Sequence, residues 1–135
     1  MSAPSPLMAS LHVALGGAIG SVLRYQVGRG MTHWLGPQAV STFPWATLTV
    51  NLVGSLAMGV LAGWLARHGE GGEQLRLLLG VGLLGGFTTF SAFSLEMAML
   101  LQRGQSVQAF VYISASVLMG LVALQIGILV MRAAG

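Results

Sequence analysis

The fold of this chain is decided by one apolar stretch in which glycine, threonine and phenylalanine stand close together, Leu77-Leu78-Leu79-Gly80-Val81-Gly82-Leu83-Leu84-Gly85-Gly86-Phe87-Thr88-Thr89-Phe90-Ser91-Ala92-Phe93-Ser94. Gly85-Gly86 is a poor helix interior, because each glycine costs about 1 kcal/mol relative to alanine. Thr88-Thr89 can cap a helix that begins after them. The stretch therefore predicts a transmembrane helix that is interrupted near the middle of the membrane.

Such an interruption would have chemical consequences. Irregular backbone inside a membrane is tolerated only where it is buried in protein or lines a polar cavity. Carbonyl groups at the end of the first half-helix can coordinate a cation, and amide groups at the start of the second half-helix attract an anion. The competing interpretation is an unbroken helix whose glycines only allow tight packing.

The rest of the chain is equally apolar. Of its 135 residues, 55% are hydrophobic and 7% are charged, whereas about a quarter of residues are charged in an ordinary soluble domain. We predict an all-α membrane protein in which residues 1–135 form a single domain. Its four transmembrane helices are expected at about residues 7–28, 45–66, 75–101 and 107–132. The loops are expected at about residues 30–44, 67–74 and 102–106.

The remaining composition excludes several classes of protein. The six basic residues are all arginines and are scattered singly, whereas nucleic-acid-binding proteins gather their charge in a patch or stripe. The chain has no cysteine, which excludes disulfides and thiolate chemistry. His12, His33 and His68 are far apart in sequence, so we assign them no chemistry. Residues 1–6 carry no basic residue before the apolar run, so we expect no cleaved signal peptide.

The arginines give membrane insertion little direction. A Lys/Arg excess in cytoplasmic loops normally sets the orientation. Here three arginines on one side face two or three on the other: Arg67, Arg76 and Arg132 against Arg29 and Arg103, with Arg24 counted or not. Either a weak bias selects one orientation, or the chain inserts in both and forms an antiparallel homodimer with inverted symmetry.

Small residues recur at four-residue spacing inside the spans: Gly16 with Gly20, Ser55 with Gly59 and Gly63, and Gly82 with Gly86. In lipid, such faces let helix backbones approach closely. We predict that they pack the four helices of one subunit together. Whether they also form a dimer interface stays open.

Phenylalanines and hydroxyls share the third span. Phe87, Phe90 and Phe93 recur every three residues, and Ser91 and Ser94 interleave with them. An aromatic ring is positive at its edge, so rings beside hydroxyls would form a weakly electropositive lining that suits a small anion. Packing in the core is the other interpretation of these rings.

Further hydrogen-bond donors lie on the second and fourth spans. Thr47 and Asn51 are one turn apart, and Tyr112 and Ser116 have the same spacing. Each residue alone is more often an interhelical hydrogen bond than a ligand, but together they predict a polar permeation path. Arg24 either snorkels to the interface or forms an anion-attracting vestibule.

These motifs together resemble the Fluc/CrcB family of fluoride channels. The resemblance covers essentially the whole chain and is carried by Gly85 to Ser94, by Asn51, and by Gly16-Gly17-Ala18-Ile19-Gly20 with Arg24-Tyr25. It implies a dual-topology homodimer in the inner (plasma) membrane, with two antiparallel pores for passive fluoride export and a structural sodium ion at the centre. It also implies a role in fluoride resistance.

The resemblance implies roles for individual residues. Backbone carbonyls of Gly85 and Thr88 from both subunits would give the sodium ion four ligands. Asn51 would donate a hydrogen bond to fluoride. Phe90 and Phe93 would form the aromatic box of each pore.

The resemblance further implies a polar track beyond the aromatic box. The residues that match it are Thr47, Tyr112 and Ser116. We also place Ser91 in the pore and Arg24 in the vestibule. The family tends to have another hydroxyl one turn beyond Ser116, where this chain has Gly120, so the far end of the track is an open question.

Two other classes fit the sequence less well. A small multidrug-resistance-type exporter also has a short chain and antiparallel dimers, but it is proton-coupled and needs a carboxylate in its first helix, where this chain has Arg24 and no acid. A membrane assembly subunit without a transport role would explain the glycines but not the clustered polar residues. An enzyme is not expected, and Glu96 receives no role.

Overall fold

The computed structural model of the chain describes residues 4–68 and 72–134, and every regular element within them is helical. Four stretches are long and apolar enough to cross a membrane, which confirms the four predicted spans. We number the helices α1 to α6: α1 Pro6–Leu35, α2 Pro37–Thr42, α3 Trp45–His68, α4 residues 73–87, α5 Phe90–Gln102 and α6 Ser106–Ala133. The third span consists of α4 and α5.

The predicted first loop, residues 30–44, is wrong. α1 continues to Leu35, and α2 occupies most of the remainder. The helices are separated by Gly36, whose φ of 85° is accessible to glycine and ends α1. Pro37 then stands at the first position of α2, where its missing N–H is not needed.

The other predicted boundaries lie within two residues of the observed helix ends. The predicted second loop is shorter than expected, because α3 extends to His68 and α4 begins at Glu73. Residues 69–71 of that loop, with the charge of Glu70, lie outside the described residues. The third connection turns at Gly104, which has a φ of 72°.

The third span is interrupted at its threonines and not at its glycines. Gly85 keeps helical angles, with φ −63° and ψ −37°. Thr88 and Thr89 are extended, with ψ values of 161° and 124°. Gly86 serves close packing instead, since a Cβ there would lie 2.6 Å from the carbonyl oxygen of Gly17. The break and the tight packing, considered as alternatives from the sequence, occur side by side.

Glycine contacts fix the direction in which the spans run. Along α1 and α4, a Cβ on Gly82 would meet the carbonyl oxygen of Val13 at 2.9 Å, and the contacts continue in the same order from Gly17 to Gly86. The first and third spans are therefore parallel. α3 and α6 pair similarly, from Gly59 against Leu124 to Gly63 against Ile128.

These contacts confirm that the small residues pack helices of one subunit together. At these positions backbone meets backbone, so the paired helices lie close together. The spans nevertheless keep most of their surface uncovered, with 11% to 28% of the residues in each apolar window buried inside the chain. Lipid or another protein surface must cover the remainder.

The buried cluster lies where α3, α5 and α6 meet. It contains Leu48, Phe93, Leu100, Ala109 and Tyr112. The side chain of Tyr112 is fully buried, with 0% of its surface exposed. This cluster supports the polar residues described next, because it fixes the rotation of three helices around them.

Candidate functional site

A cleft of about 330 Å³ opens beside the interruption of the third span. Its walls come from α3, from the Thr88-Thr89 segment with the start of α5, and from the middle of α6. The predicted site residues that line it are Asn51, Thr88, Phe90, Phe93 and Ser116. Tertiary structure thus gathers side chains from three spans at one place.

Asn51 holds the interruption together. Its Oδ1 accepts a hydrogen bond from the backbone N–H of Thr89 at 2.8 Å, and its Nδ2 donates to the Thr89 carbonyl at 3.1 Å. The side-chain oxygen of Asn51 therefore replaces the helical acceptor that the N–H of Thr89 has lost. A primary amide has two N–H donors, so one donor of Asn51 remains after the bond to Thr89.

The interruption also releases backbone carbonyls from helical hydrogen bonds, among them those of Gly85 and Thr88. In an unbroken α-helix the N–H of Thr89 would donate to Gly85, and that of Ala92 would donate to Thr88. Instead, Thr89 donates to Asn51, and Ala92 donates to the Thr89 hydroxyl at 3.2 Å. Gly85 and Thr88 are the two residues for which the family resemblance implies cation-binding carbonyls.

The two phenylalanines of the cleft have different surroundings. Phe93 is 9% exposed and packs against Tyr112, with the ring centroids 5.1 Å apart. Phe90 is 79% exposed, although its ring centroid is only 5.8 Å from that of Phe93. One ring belongs to the core of the chain, and the other projects from it.

Hydroxyl groups line the cleft from two sides. The Ser116 hydroxyl is buried and has no hydrogen-bond partner among the described residues. It lies in a short π-helical segment of α6, Ala115–Met119, a local widening that occurs frequently at functional sites. Ser55 of α3 also lines the cleft. A Cβ on Gly120 would lie 3.6 Å from the Ser55 hydroxyl, so Ser55 brings a hydroxyl to the region where the track was in question.

Glu96 is a site residue that the sequence analysis missed. Its Oε1 accepts the hydroxyl of Thr47 and its Oε2 accepts the hydroxyl of Tyr112, each at 2.7 Å. We call Thr47, Glu96 and Tyr112 the hydroxyl–carboxylate triad. The sequence does contain a signal for it: Glu96 follows Phe90 and Phe93 at the same three-residue spacing and therefore lies on the same side of the helix. The triad lies next to the cleft through the contact of Tyr112 with Phe93.

Two predicted site residues lie outside this assembly. Ser91 is exposed, and its hydroxyl is 3.3 Å from the hydroxyl of Thr89. Arg24 is half-buried on α1, and because α1 extends to Leu35 it lies about 16 Å before the helix end at 1.5 Å per residue. Arg24 is therefore farther from the end of its helix than expected. Groups of histidine and acidic side chains able to hold a metal are absent from the part of the chain that the structure describes.

Comparison of the sequence with known proteins finds a matching family and several similar proteins. Residues 11–128 match the model of the family described as CrcB-like protein, Camphor Resistance (CrcB). A protein of Erythrobacter litoralis named fluoride-specific ion channel FluC is 57% identical over 133 residues, which are 98% of each chain. A protein of the same name from Novosphingobium aromaticivorans is 59% identical over 126 residues, covering 93% of this chain and 98% of the relative. A third, from Caulobacter vibrioides, is 53% identical over 123 residues, covering 90% and 94%.

Proposed function

Because this chain belongs to the CrcB family, we propose that it is a fluoride-selective channel through which fluoride leaves the cell passively and which gives resistance to fluoride. The relatives that are 57% and 59% identical over more than nine tenths of the chain carry that function in their names. A channel of this kind is a transporter and not an enzyme.

The observation that carries the proposal is the convergence of neutral hydrogen-bond donors on one cleft. Asn51, whose amide has a second N–H, lines it together with Ser116, whose hydroxyl has no partner in the part of the chain that the structure describes, and Ser55 adds a second hydroxyl. Fluoride is small and strongly hydrated, so a pore must replace its water with donors or meet a desolvation cost of tens of kcal/mol. Neutral donors allow fluoride both to enter and to leave, as conduction requires.

The pore is completed by a second copy of the chain in the opposite orientation. Phe90 supports this, because a ring that is 79% exposed beside a polar cleft needs a covering surface. An antiparallel two-fold axis would place Phe90 of each chain near the cleft of the other and create two pores. The balanced arginine tally permits both insertions in the inner membrane.

A sodium ion at the dimer centre is part of the same proposal. The residues present fit such an ion, because the Asn51–Thr89 pairing releases the carbonyls of Gly85 and Thr88 from the helix. Carbonyl oxygens are suitable ligands for a hard cation. Two carbonyls from each chain would make four ligands. When bound, the ion supplies positive charge that holds two helix breaks together.

A proton-coupled exporter remains the competing function. It needs a membrane-embedded carboxylate in its first helix, which this chain lacks, and the acid that the structure places inside a span is Glu96 of the third. Both oxygens of Glu96 accept hydroxyl hydrogen bonds, from Thr47 and Tyr112. These bonds hold the carboxylate in place, which favours a structural role over the alternate binding of substrate and proton that an exporter requires. The fluoride channel therefore accounts for more of the observed contacts.

An ion-efflux assay tests the proposed function. Purified protein in liposomes loaded with fluoride or with chloride should release fluoride rapidly and chloride at the rate of protein-free vesicles, because the donor-lined path is narrow. The release should follow the membrane potential without stoichiometric proton movement. Equal chloride efflux, or tight coupling of fluoride to protons, would contradict the proposal.

Cysteine labelling tests the dual orientation. The chain has no native cysteine, and Ser106 is exposed at the start of α6. A Ser106→Cys variant in cells should be labelled by an impermeant maleimide from both sides of the inner membrane in similar amounts. Labelling from one side only would exclude the antiparallel dimer, while the efflux assay would still report on fluoride transport.

A further inference from the structure

A second cleft lies between α2 and α5. It has a volume of about 150 Å³, and its polar wall is formed by Ser41, Thr42, Glu96 and Arg103. Of the described residues that line it, Arg103 alone is cationic. The cleft therefore contains a guanidinium at the surface and a carboxylate of the hydroxyl–carboxylate triad.

Arg103 is held at the rim of this cleft. Its Nη1 donates to the carbonyl oxygen of Ser41 at 3.0 Å, which ties α2 to the end of α5. The residue is exposed, and a guanidinium has five N–H donors, so the tie to Ser41 uses only a fraction of its capacity. A full positive charge at this rim outweighs the partial negative charge of the α5 C-terminus.

Glu96 connects this cleft to the first one. Two helical turns of α5, a rise of about 10 Å, separate it from Arg103. Its oxygens accept the hydroxyls of Thr47 and Tyr112, and the Tyr112 ring packs on Phe93 of the first cleft. The triad therefore lies between the two clefts, with Phe93 on one side and Arg103 on the other.

We infer that the cleft between α2 and α5 is the second mouth of the fluoride path and that Arg103 draws fluoride to it. This inference rests on the channel function proposed above. An anion that moves from the first cleft through the triad to water passes the Glu96 carboxylate, whose negative charge repels it. The guanidinium at the rim offsets this repulsion and raises the local anion concentration. Salt screens such an effect, since the Debye length is about 8 Å at physiological ionic strength.

The test compares fluoride efflux from liposomes that contain wild-type protein, Arg103→Gln or Arg103→Lys. At low ionic strength and low fluoride concentration, we expect Arg103→Gln to slow the initial rate about tenfold, the lower end of electrostatic steering. Added potassium gluconate should slow the wild type and bring the two rates together. Arg103→Lys keeps the charge and should stay within about twofold of the wild type.

Arg67→Gln is the matched control. Arg67 also donates from Nη1 to a backbone carbonyl, that of Met131 at 2.6 Å, but it lies at the opposite end of α3 from the cleft. Its loss should leave both the rate and the salt dependence unchanged. All variants are compared after elution at the wild-type position on a size-exclusion column.

Two results would overturn the inference while the channel function stands. One is an Arg103→Gln rate equal to that of the wild type at low ionic strength. The other is a rate that is lower by the same factor at every ionic strength, in Arg103→Lys as well, which would mean that Arg103 only ties α2 to α5. A wild-type protein that carries no fluoride would instead refute the proposed function, and the inference with it.

Discussion

Two interfaces within this chain are packed by opposite means. Between α1 and α4, glycine sets the spacing, as where a Cβ on Gly82 would lie 2.9 Å from the carbonyl oxygen of Val13. Around the interruption of the third span, polar side chains add hydrogen bonds to the apolar and glycine contacts of α3, α5 and α6, as where Asn51 pairs with both backbone groups of Thr89. We call these the glycine interface and the polar interface.

The difference separates structural from functional demands in one small bundle. The glycine interface leaves no room for an ion, because backbone meets backbone, and it can only hold the helices together. The polar interface keeps hydrogen-bond donors that are free to bind an ion. A hydrogen bond from such a donor to a desolvated anion is stronger than one to a neutral group of a neighbouring helix. Substitutions in the glycine interface should therefore change stability, and substitutions in the polar interface should change transport.

The largest expected effect on transport comes from Asn51→Ala. A hydrogen bond to a charged group is worth about 1.5–3 kcal/mol, so fluoride efflux should fall by at least about tenfold. The variant also leaves the N–H of Thr89 without its acceptor, so we expect a lower melting temperature with the oligomer preserved. Efflux and size-exclusion chromatography on one preparation check both. Wild-type efflux from a folded variant would mean that Asn51 only joins helices.

Substitution of Phe90 and Phe93 tests whether the rings of the polar interface act in transport or only in packing. Phe90→Ile and Phe93→Ile keep apolar bulk but remove the positive ring edge, and efflux should fall sharply in both. Stability should fall by up to about 1.5 kcal/mol for the buried Phe93 and by less than about 0.5 kcal/mol for the exposed Phe90. Phe110→Ile is the control, because Phe110 is 71% exposed and lies outside the cleft. Full efflux in the Phe90 and Phe93 variants would assign both rings to packing.

Gly82→Ala tests the glycine interface. The added methyl group would meet the backbone of α1, and overpacking of this kind costs about 1–3 kcal/mol. Gly28→Ala is matched to it, since Gly28 is also helical but no atom of the described residues lies within 4 Å of an added Cβ. Thermal unfolding in detergent should show a loss for Gly82→Ala and a neutral or slightly favourable change for Gly28→Ala. Equal melting temperatures would show that the glycines do not set the helix spacing.

The smallest expected effect concerns the Ser55 hydroxyl. Ser55→Ala removes one neutral donor from the cleft, and a loss of about 0.5–1.5 kcal/mol corresponds to a two- to tenfold slower efflux. The double variant Ser55→Ala with Gly120→Ser returns a hydroxyl from α6 to nearly the same place and should restore part of the rate. If Ser55→Ala conducts normally, the cleft does not need a third donor.

The sequence predicted the polar interface well wherever the signal was periodic. Helical spacing paired Thr47 with Asn51 and Tyr112 with Ser116 and grouped the phenylalanines, and the family resemblance joined these sets in one pore. The structure brings Asn51, Phe90, Phe93 and Ser116 to one cleft. Their roles toward fluoride remain predictions. Glu96 was missed because one acid at the end of an apolar run resembles an interfacial residue until its two partners, from other spans, are known.

The error at the first loop has a local cause of a different kind. Gly30, Gly36 and Pro37 resemble a turn-rich segment, and glycine and proline usually mark loops. Only Gly36 adopts a positive φ, whereas Gly30 lies inside α1. Propensity alone does not distinguish a glycine that ends a helix from one that is carried within it.

The sequence by itself determined the four spans and predicted a break in the third, whereas the structure places that break at the threonines and not at the glycines. Lipid offers no water to backbone groups, so each span must satisfy its own hydrogen bonds, and this requirement appears directly in local hydropathy and capping residues. Tertiary structure alone decided the polar partners. Asn51 and Thr89 are 38 residues apart, and Thr47 and Glu96 are 49 apart, so their pairing depends on the rotation and register of whole helices. Those are set by packing contacts between spans, which no local pattern encodes.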